Sequence, residues 1–121
     1  MNTPTRMADP ELDEVLDLMA DEHTRDILAH TSQRAMSAPE LVEACDVSER
    51  TVYRRLEQLQ SLGLVTEHTQ IDPDGHHRSV YKSRVEGVHV LLNDGQYEIQ
   101  IEIEEDTADR FARMWSDMRN E

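Results

Sequence analysis

An α+β fold is what this chain predicts, with helices through its first half, two antiparallel hairpins after them and one more helix at the end. Three observations predict it. Apolar residues recur at helical spacing up to Gly63 and at every second position beyond it. Two turn sequences, Asp72-Pro73-Asp74-Gly75 and Asn93-Asp94-Gly95, separate runs rich in Val, Ile and Tyr. The helical half is also punctuated by residues that start and stop helices, namely Asp9-Pro10, Ser37, Ser48 and Gly63.

Residues 1–8 carry no pattern and are expected to be disordered. Asp9 as N-cap and Pro10 in the first turn open a helix whose Leu12, Val15, Leu16 and Met19 repeat at i, i+3, i+4 and i+7. Its acidic first turn suits the helix dipole. A second helix spans about Glu22 to Thr31 with Ile27 and Leu28 inward, and residues 32–36 connect it to the next. Ser37-Ala38-Pro39-Glu40 reads as a capping box opening a short helix, whose core side is Leu41, Val42 and Ala44. Cys45-Asp46-Val47 then leads to a helix from the Ser48 cap to Gly63, about four turns long. Val52, Leu56 and Leu59 form its apolar stripe, while Arg50, Arg54 and Arg55 crowd three of the chain's twelve cations onto one helix.

After Gly63 the period becomes two. Leu64 to Ile71 and Arg78 to Lys82 are strands about the first turn sequence, and Val88 to Leu92 and Tyr97 to Ile103 are strands about the second. Thr107 caps a last helix in which Phe111, Met114, Trp115 and Met118 form a stripe. That stripe has more apolar surface than a domain of this size easily covers alone. It is expected to pack across a two-fold axis together with Leu12, Val15, Leu16 and Met19; the alternative is that it closes over the chain's own sheet.

Two short helices joined by a tight turn, the second capped by Ser and carrying arginines, are what helix-turn-helix recognition of DNA requires. The run Met19 to Leu28, followed by SAPELVEACDVSERTVYRRLEQLQSLGLV, resembles winged helix-turn-helix regulators of the ArsR type and their PadR-like relatives. The similarity covers roughly Leu12 to Tyr81. It implies an α+β winged helix-turn-helix fold over residues 9–84, with the first hairpin as the wing. The second hairpin and last helix, residues 85–121, are expected to form the dimerisation unit together with the N-terminal helix. It also implies a homodimer that binds double-stranded DNA. The acidic, lysine-poor setting further resembles haloarchaeal members, and with them an oxidative-stress role.

Composition bounds the rest. At 121 residues the chain is one domain. No run is apolar enough to span a membrane and the start lacks a hydrophobic signal core, so a cytoplasmic location is expected. A net charge of −14 contradicts DNA binding at first sight, since a polyanion repels such a chain. The distribution answers this, because residues 48–84 hold six cations and five anions, a net of +1, leaving −15 for the remainder. One lysine, Lys82, stands against eleven arginines, the surface expected of a chain kept soluble in molar potassium salt. Potassium ions and counterions are accordingly expected as partners at the DNA interface. The bland alternative is an acidic chain that binds a basic partner.

Within the arginine-bearing helix, Arg50, Thr51 and Arg54 are the candidates for base edges, by analogy with the family motif. Ser48, Tyr53 and Arg55 are candidates for phosphates. At the wing, His76, His77 and Arg78 are placed at the backbone or minor groove. Each has a plainer reading: the arginine face as a solvated surface, and the histidine pair with Asp72 or Asp74 as an incomplete metal set. Asp72 to Gly75 lacks the spacing of a calcium loop and reads as a plain turn. Cys45 stands alone and is by default a buried thiol, with redox sensing as the alternative. No phosphate-cradling loop or nucleophile elbow is present, so neither an enzyme, a cofactor nor a metal centre is expected. A winged-helix protein-interaction module remains the alternative function.

Overall fold

The computed structural model describes residues 9–104 together with the short strand Thr5–Arg6. Four helices and two antiparallel sheets follow one another: β1 (Thr5–Arg6), α1 (Asp9–Ala20), α2 (Glu22–Gln33), β2 (Met36–Ser37), α3 (Ala38–Cys45), α4 (Glu49–Ser61), β3 (Val65–Ile71), β4 (His77–Ser83), β5 (Val85–Asn93) and β6 (Gln96–Ile103). Phe111, Met114, Trp115 and Met118 lie outside the described residues.

The helices begin where the chain offers side-chain acceptors for their orphan N–H groups. Ser37 accepts from Glu40 N, while Glu40 reaches back to Ser37 N, completing the capping box; Ser48 caps α4 through Thr51 N. Asp21 caps α2 in the same way through Thr24, a signal the sequence reading passed over. Gly63, at φ +74°, occupies the left-handed position just past α4. Between α3 and α4 that conformation falls to Asp46, φ 51°, whose N–H bonds Val42 O and turns the chain sharply toward Ser48.

One sheet has the order β2-β4-β3 and the other β1-β6-β5. The residues read as a connection before Ser37 include a strand, since Met36 pairs with Tyr81 and Ser37 with Val80. Thr5 and Arg6, inside the stretch expected to be disordered, pair with Ile101 and Gln100. The core joins both halves. Val15 and Leu18 of α1, Ile27 of α2, Leu41 of α3, Val52, Leu56 and Leu59 of α4, and Ile99 and Ile101 of β6 form one buried cluster with Leu64, Val65 and Tyr81. Thr24 and Thr31 are buried as well, and each hydroxyl has a partner within the same region, Asp21 Oδ2 at 2.9 Å and Ile27 O at 2.7 Å.

The N-terminal stripe is divided by this core. Val15 is fully buried in the chain's own interior, and Leu12 and Met19 are half-buried against it, so Leu16 alone of the four stands exposed.

Candidate nucleic-acid interface

The three-residue link Asp46-Val47-Ser48 joins α3 to α4, and burial of Val52, Leu56 and Leu59 decides which side of α4 faces water. The outward stripe is Arg50, Tyr53, Arg54, Glu57 and Ser61, at i, i+3, i+4, i+7 and i+11. Thr51 is half-buried beside it. Ser48 and Thr51 satisfy one another, because Ser48 Oγ accepts from Thr51 N at 3.2 Å and donates to Thr51 Oγ1 at 2.9 Å. Among the described residues neither Arg50 nor Arg54 has an ion-pair or hydrogen-bond partner, and both stand exposed on one helix face.

The other basic residues of 48–84 are engaged. Arg55 turns inward, its Nε 3.1 Å from Asp21 Oδ2 as an ion pair without hydrogen-bond alignment and its Nη1 donating to Gln58 Oε1 at 3.1 Å. Arg55, expected as a phosphate contact, is thus held against the N-cap of α2. Arg78 lies within β4 and not at the hairpin tip, its Nε bonded to Gln70 at 2.9 Å and its Nη1 3.4 Å from Glu40. Lys82 donates to Ser32 O at 2.8 Å and Arg84 to Glu104 O at 3.5 Å. The +1 balance of this region therefore overstates the cations it can offer to a ligand.

At the hairpin tip Asp72 organises the turn. Its Oδ1 accepts from Asp74 N at 3.0 Å and from His76 N at 2.8 Å, while its backbone closes with His76 O and Gly75 N. His76 and His77 are exposed there. Asp72, Asp74 and His76 converge closely enough to share an ion, whereas His77 belongs to β4 and does not join them. The histidine pair is thus split, and one Asp72 oxygen is committed to the turn.

A cleft of about 650 Å³ separates the N-terminal end of α3 from the β3–β4 hairpin, with Tyr53 of α4 on its wall. Glu40, Glu43 and Glu67 give it a carboxylate lining that the sequence did not foretell, since the three come from two separate elements. Hydrogen bonds from the Ser37 backbone and then from Arg34 hold Glu40 at about 2, so it stays anionic. Tyr81 donates to Glu67 at 2.9 Å, and burial followed by that carboxylate pushes its hydroxyl up to about 12. Cys45 is half-buried, and burial with the nearby Asp26 pushes its thiol up, away from the thiolate that redox chemistry uses.

Residues 19–68 match the model of a family described as a helix-turn-helix domain. That span runs from the end of α1 through α2, α3 and α4 into β3 and contains every α4 residue named above. No curated protein matches the chain. Residues 19–68 are thus similar to a helix-turn-helix domain, and no described helix is long and apolar enough to cross a membrane.

Proposed function

We propose that this chain is a sequence-specific transcription regulator that acts as a homodimer on a pseudo-palindromic duplex, with α4 in the major groove and half-sites about one helical turn apart. The observation that carries this reading is a pair of arginines, Arg50 and Arg54, without a partner among the described residues, on the outward face of a helix whose opposite face is locked into the core. Each guanidinium has the planar fork that matches guanine O6 and N7. Ser48, Thr51 and Tyr53 flank them as phosphate or groove contacts, and the β3–β4 hairpin is the wing that brings His76 and His77 to the backbone. Arg78 serves instead as a brace between hairpin and α3.

High salt is the setting the charge pattern fits. Carboxylates beside the reading helix, Glu49 and Glu57 on α4, Asp74 at the hairpin tip and Glu43 in the cleft, take up potassium as the duplex approaches and offset the cations it releases. Homodimerisation draws on Leu16 and on the Phe111, Met114, Trp115 and Met118 stripe. An oxidative-stress role rests on the family resemblance alone, and the raised Cys45 thiol lends it no support.

A second reading, a winged-helix module that binds a basic protein, is favoured by the engagement of Arg55, Arg78, Lys82 and Arg84 and by the acidic cleft. A mobility shift on duplexes selected from a random pool separates the two. Regulation predicts that the wild type selects a consensus and that the Arg50→Ala/Arg54→Ala variant selects none; failure of the wild type to enrich any sequence favours the module.

A further inference from the structure

Strand β5 leaves two features uncovered among the described residues. The sheet order β1-β6-β5 puts it at an edge, so one row of its backbone N–H and C=O groups meets no described strand. The register with β6 sets Val88 opposite Ile101, Val90 opposite Ile99 and Leu92 opposite Tyr97, which puts these six side chains on one face. Near Ile99 and Ile101 that face is core. Toward the turn it opens to solvent, with Val90 49%, Leu92 58% and Tyr97 58% exposed.

The charge pattern gives the independent observation. In a chain of net charge −14, the β5 run Gly87 to Asn93 contains no Asp, Glu, Lys or Arg. Exposed edge strands are ordinarily guarded by a charge or a proline, which keeps copies of a protein from pairing through them. Past Glu86 this one has neither over seven residues, His89 being paired with Glu102 of β6 on the face opposite Val88, Val90 and Leu92. A two-fold contact brings each residue near its own equivalents, so acidic surface repels itself, and an uncharged apolar edge is the kind of surface that meets a copy of itself without that cost.

We infer that β5 is a contact between two copies of this chain, its edge pairing antiparallel with the β5 edge of the second copy. Two three-stranded sheets then become one of six strands, and Val88, Val90 and Leu92 of both copies form a continuous apolar row flanked by Tyr97. This deepens the homodimer reading above and rests on it, while adding an interface that the helical stripes do not supply.

Sedimentation velocity of the full chain in molar potassium chloride, without DNA, tests it. The wild type is expected to sediment as a dimer, and Val90→Glu/Leu92→Glu is expected to raise the dimer dissociation constant at least about a hundredfold, because each buries an unpaired carboxylate. Both positions are half-exposed, so the circular dichroism spectrum of the variant is expected to match the wild type, while its melting temperature falls to a value that no longer depends on protein concentration. In a Cys45→Ser background, Val90→Cys is expected to cross-link two chains with a short bis-maleimide, and Arg54→Cys is not. A dimer unchanged by the two glutamates overturns the inference while leaving the homodimer intact. A monomeric wild type overturns both. Cross-linking of Leu92→Cys to Phe111→Cys within a single chain also overturns it, because residues 105–121 then cover the face.

Discussion

The Asp21 carboxylate caps one helix and holds another: Oδ2 accepts the backbone N–H and the hydroxyl of Thr24, each at 2.9 Å, and lies 3.1 Å from Arg55 Nε on α4. Both side chains are mostly shielded, so the pair fixes the roll of α4 against α2 and thereby the direction in which Arg50 and Arg54 point. A double-mutant cycle with Asp21→Asn and Arg55→Gln is expected to give a coupling of about 1 kcal/mol in urea unfolding. Burial pushes the Asp21 carboxyl up, but Thr24 and then Arg55 outweigh it and leave it below its ordinary 3.8. A depressed carboxyl stabilises the fold above that value and loses its contribution as pH falls below it, so the coupling should fade in acid. A coupling of zero at neutral pH would mean that the two side chains are neighbours only.

Glu40 closes the capping box of α3 and also meets Arg34 at 2.9 Å and Arg78 at 3.4 Å. Glu40→Gln is expected to lower stability by about 1 kcal/mol at pH 7. Its folded value is about 2 against an ordinary 4.5, so the difference between wild type and variant should persist down to about pH 4.5 and shrink as pH falls toward 2. Urea titrations across that range check it, and a difference that grows in acid contradicts the assignment.

Much of this was legible in the sequence, and the boundary of legibility is physical. The Val52, Leu56 and Leu59 stripe, the Ser37 and Ser48 caps, Gly63 and both hairpins are local signals, carried by period and by residues within four positions of each other. The β2 strand is two residues long and too short to show a period; it exists because Tyr81 and Val80 arrive from far along the chain. The ion-pair partners of Arg55 and Arg78, Asp21 and Glu40, and the Ser32 acceptor of Lys82 are likewise distant, and no spacing rule links them. Counting cations along the chain therefore includes four, Arg55, Arg78, Lys82 and Arg84, that already have partners within the fold.

Asp46 holds the left-handed conformation at φ 51° in the turn between α3 and α4, where a side chain costs more than none. Asp46→Gly is expected to raise stability by roughly 0.5 kcal/mol, since relief of that strain exceeds the added freedom of the unfolded chain. Thermal melting checks it. A lower melting temperature would show that the Asp46 side chain makes a contribution of its own.

Salt dependence follows from the number of free cations. Six phosphate contacts give a log–log slope near −5, whereas the two arginines of each protomer that have no partner among the described residues, four in a homodimer, give no steeper than about −4, before any uptake of potassium by the flanking carboxylates flattens it further. Anisotropy titrations in potassium chloride should therefore give a shallow or reversed slope. A value near −5 would show that Arg55, Arg78, Lys82 and Arg84 leave their partners on binding.

The measurement that bears most directly on α4 is a comparison of four variants on one selected duplex, by fluorescence anisotropy at fixed salt. Arg50→Ala and Arg54→Ala should each weaken binding by about 1–3 kcal/mol and relax preference at the base each contacts. Arg55→Ala and Arg78→Ala, checked for folding by melting, should leave base preference as it is in the wild type. If Arg50 and Arg54 are replaced without loss while Arg55 or Arg78 proves essential to base preference, the outward face of α4 is not the surface that reads DNA.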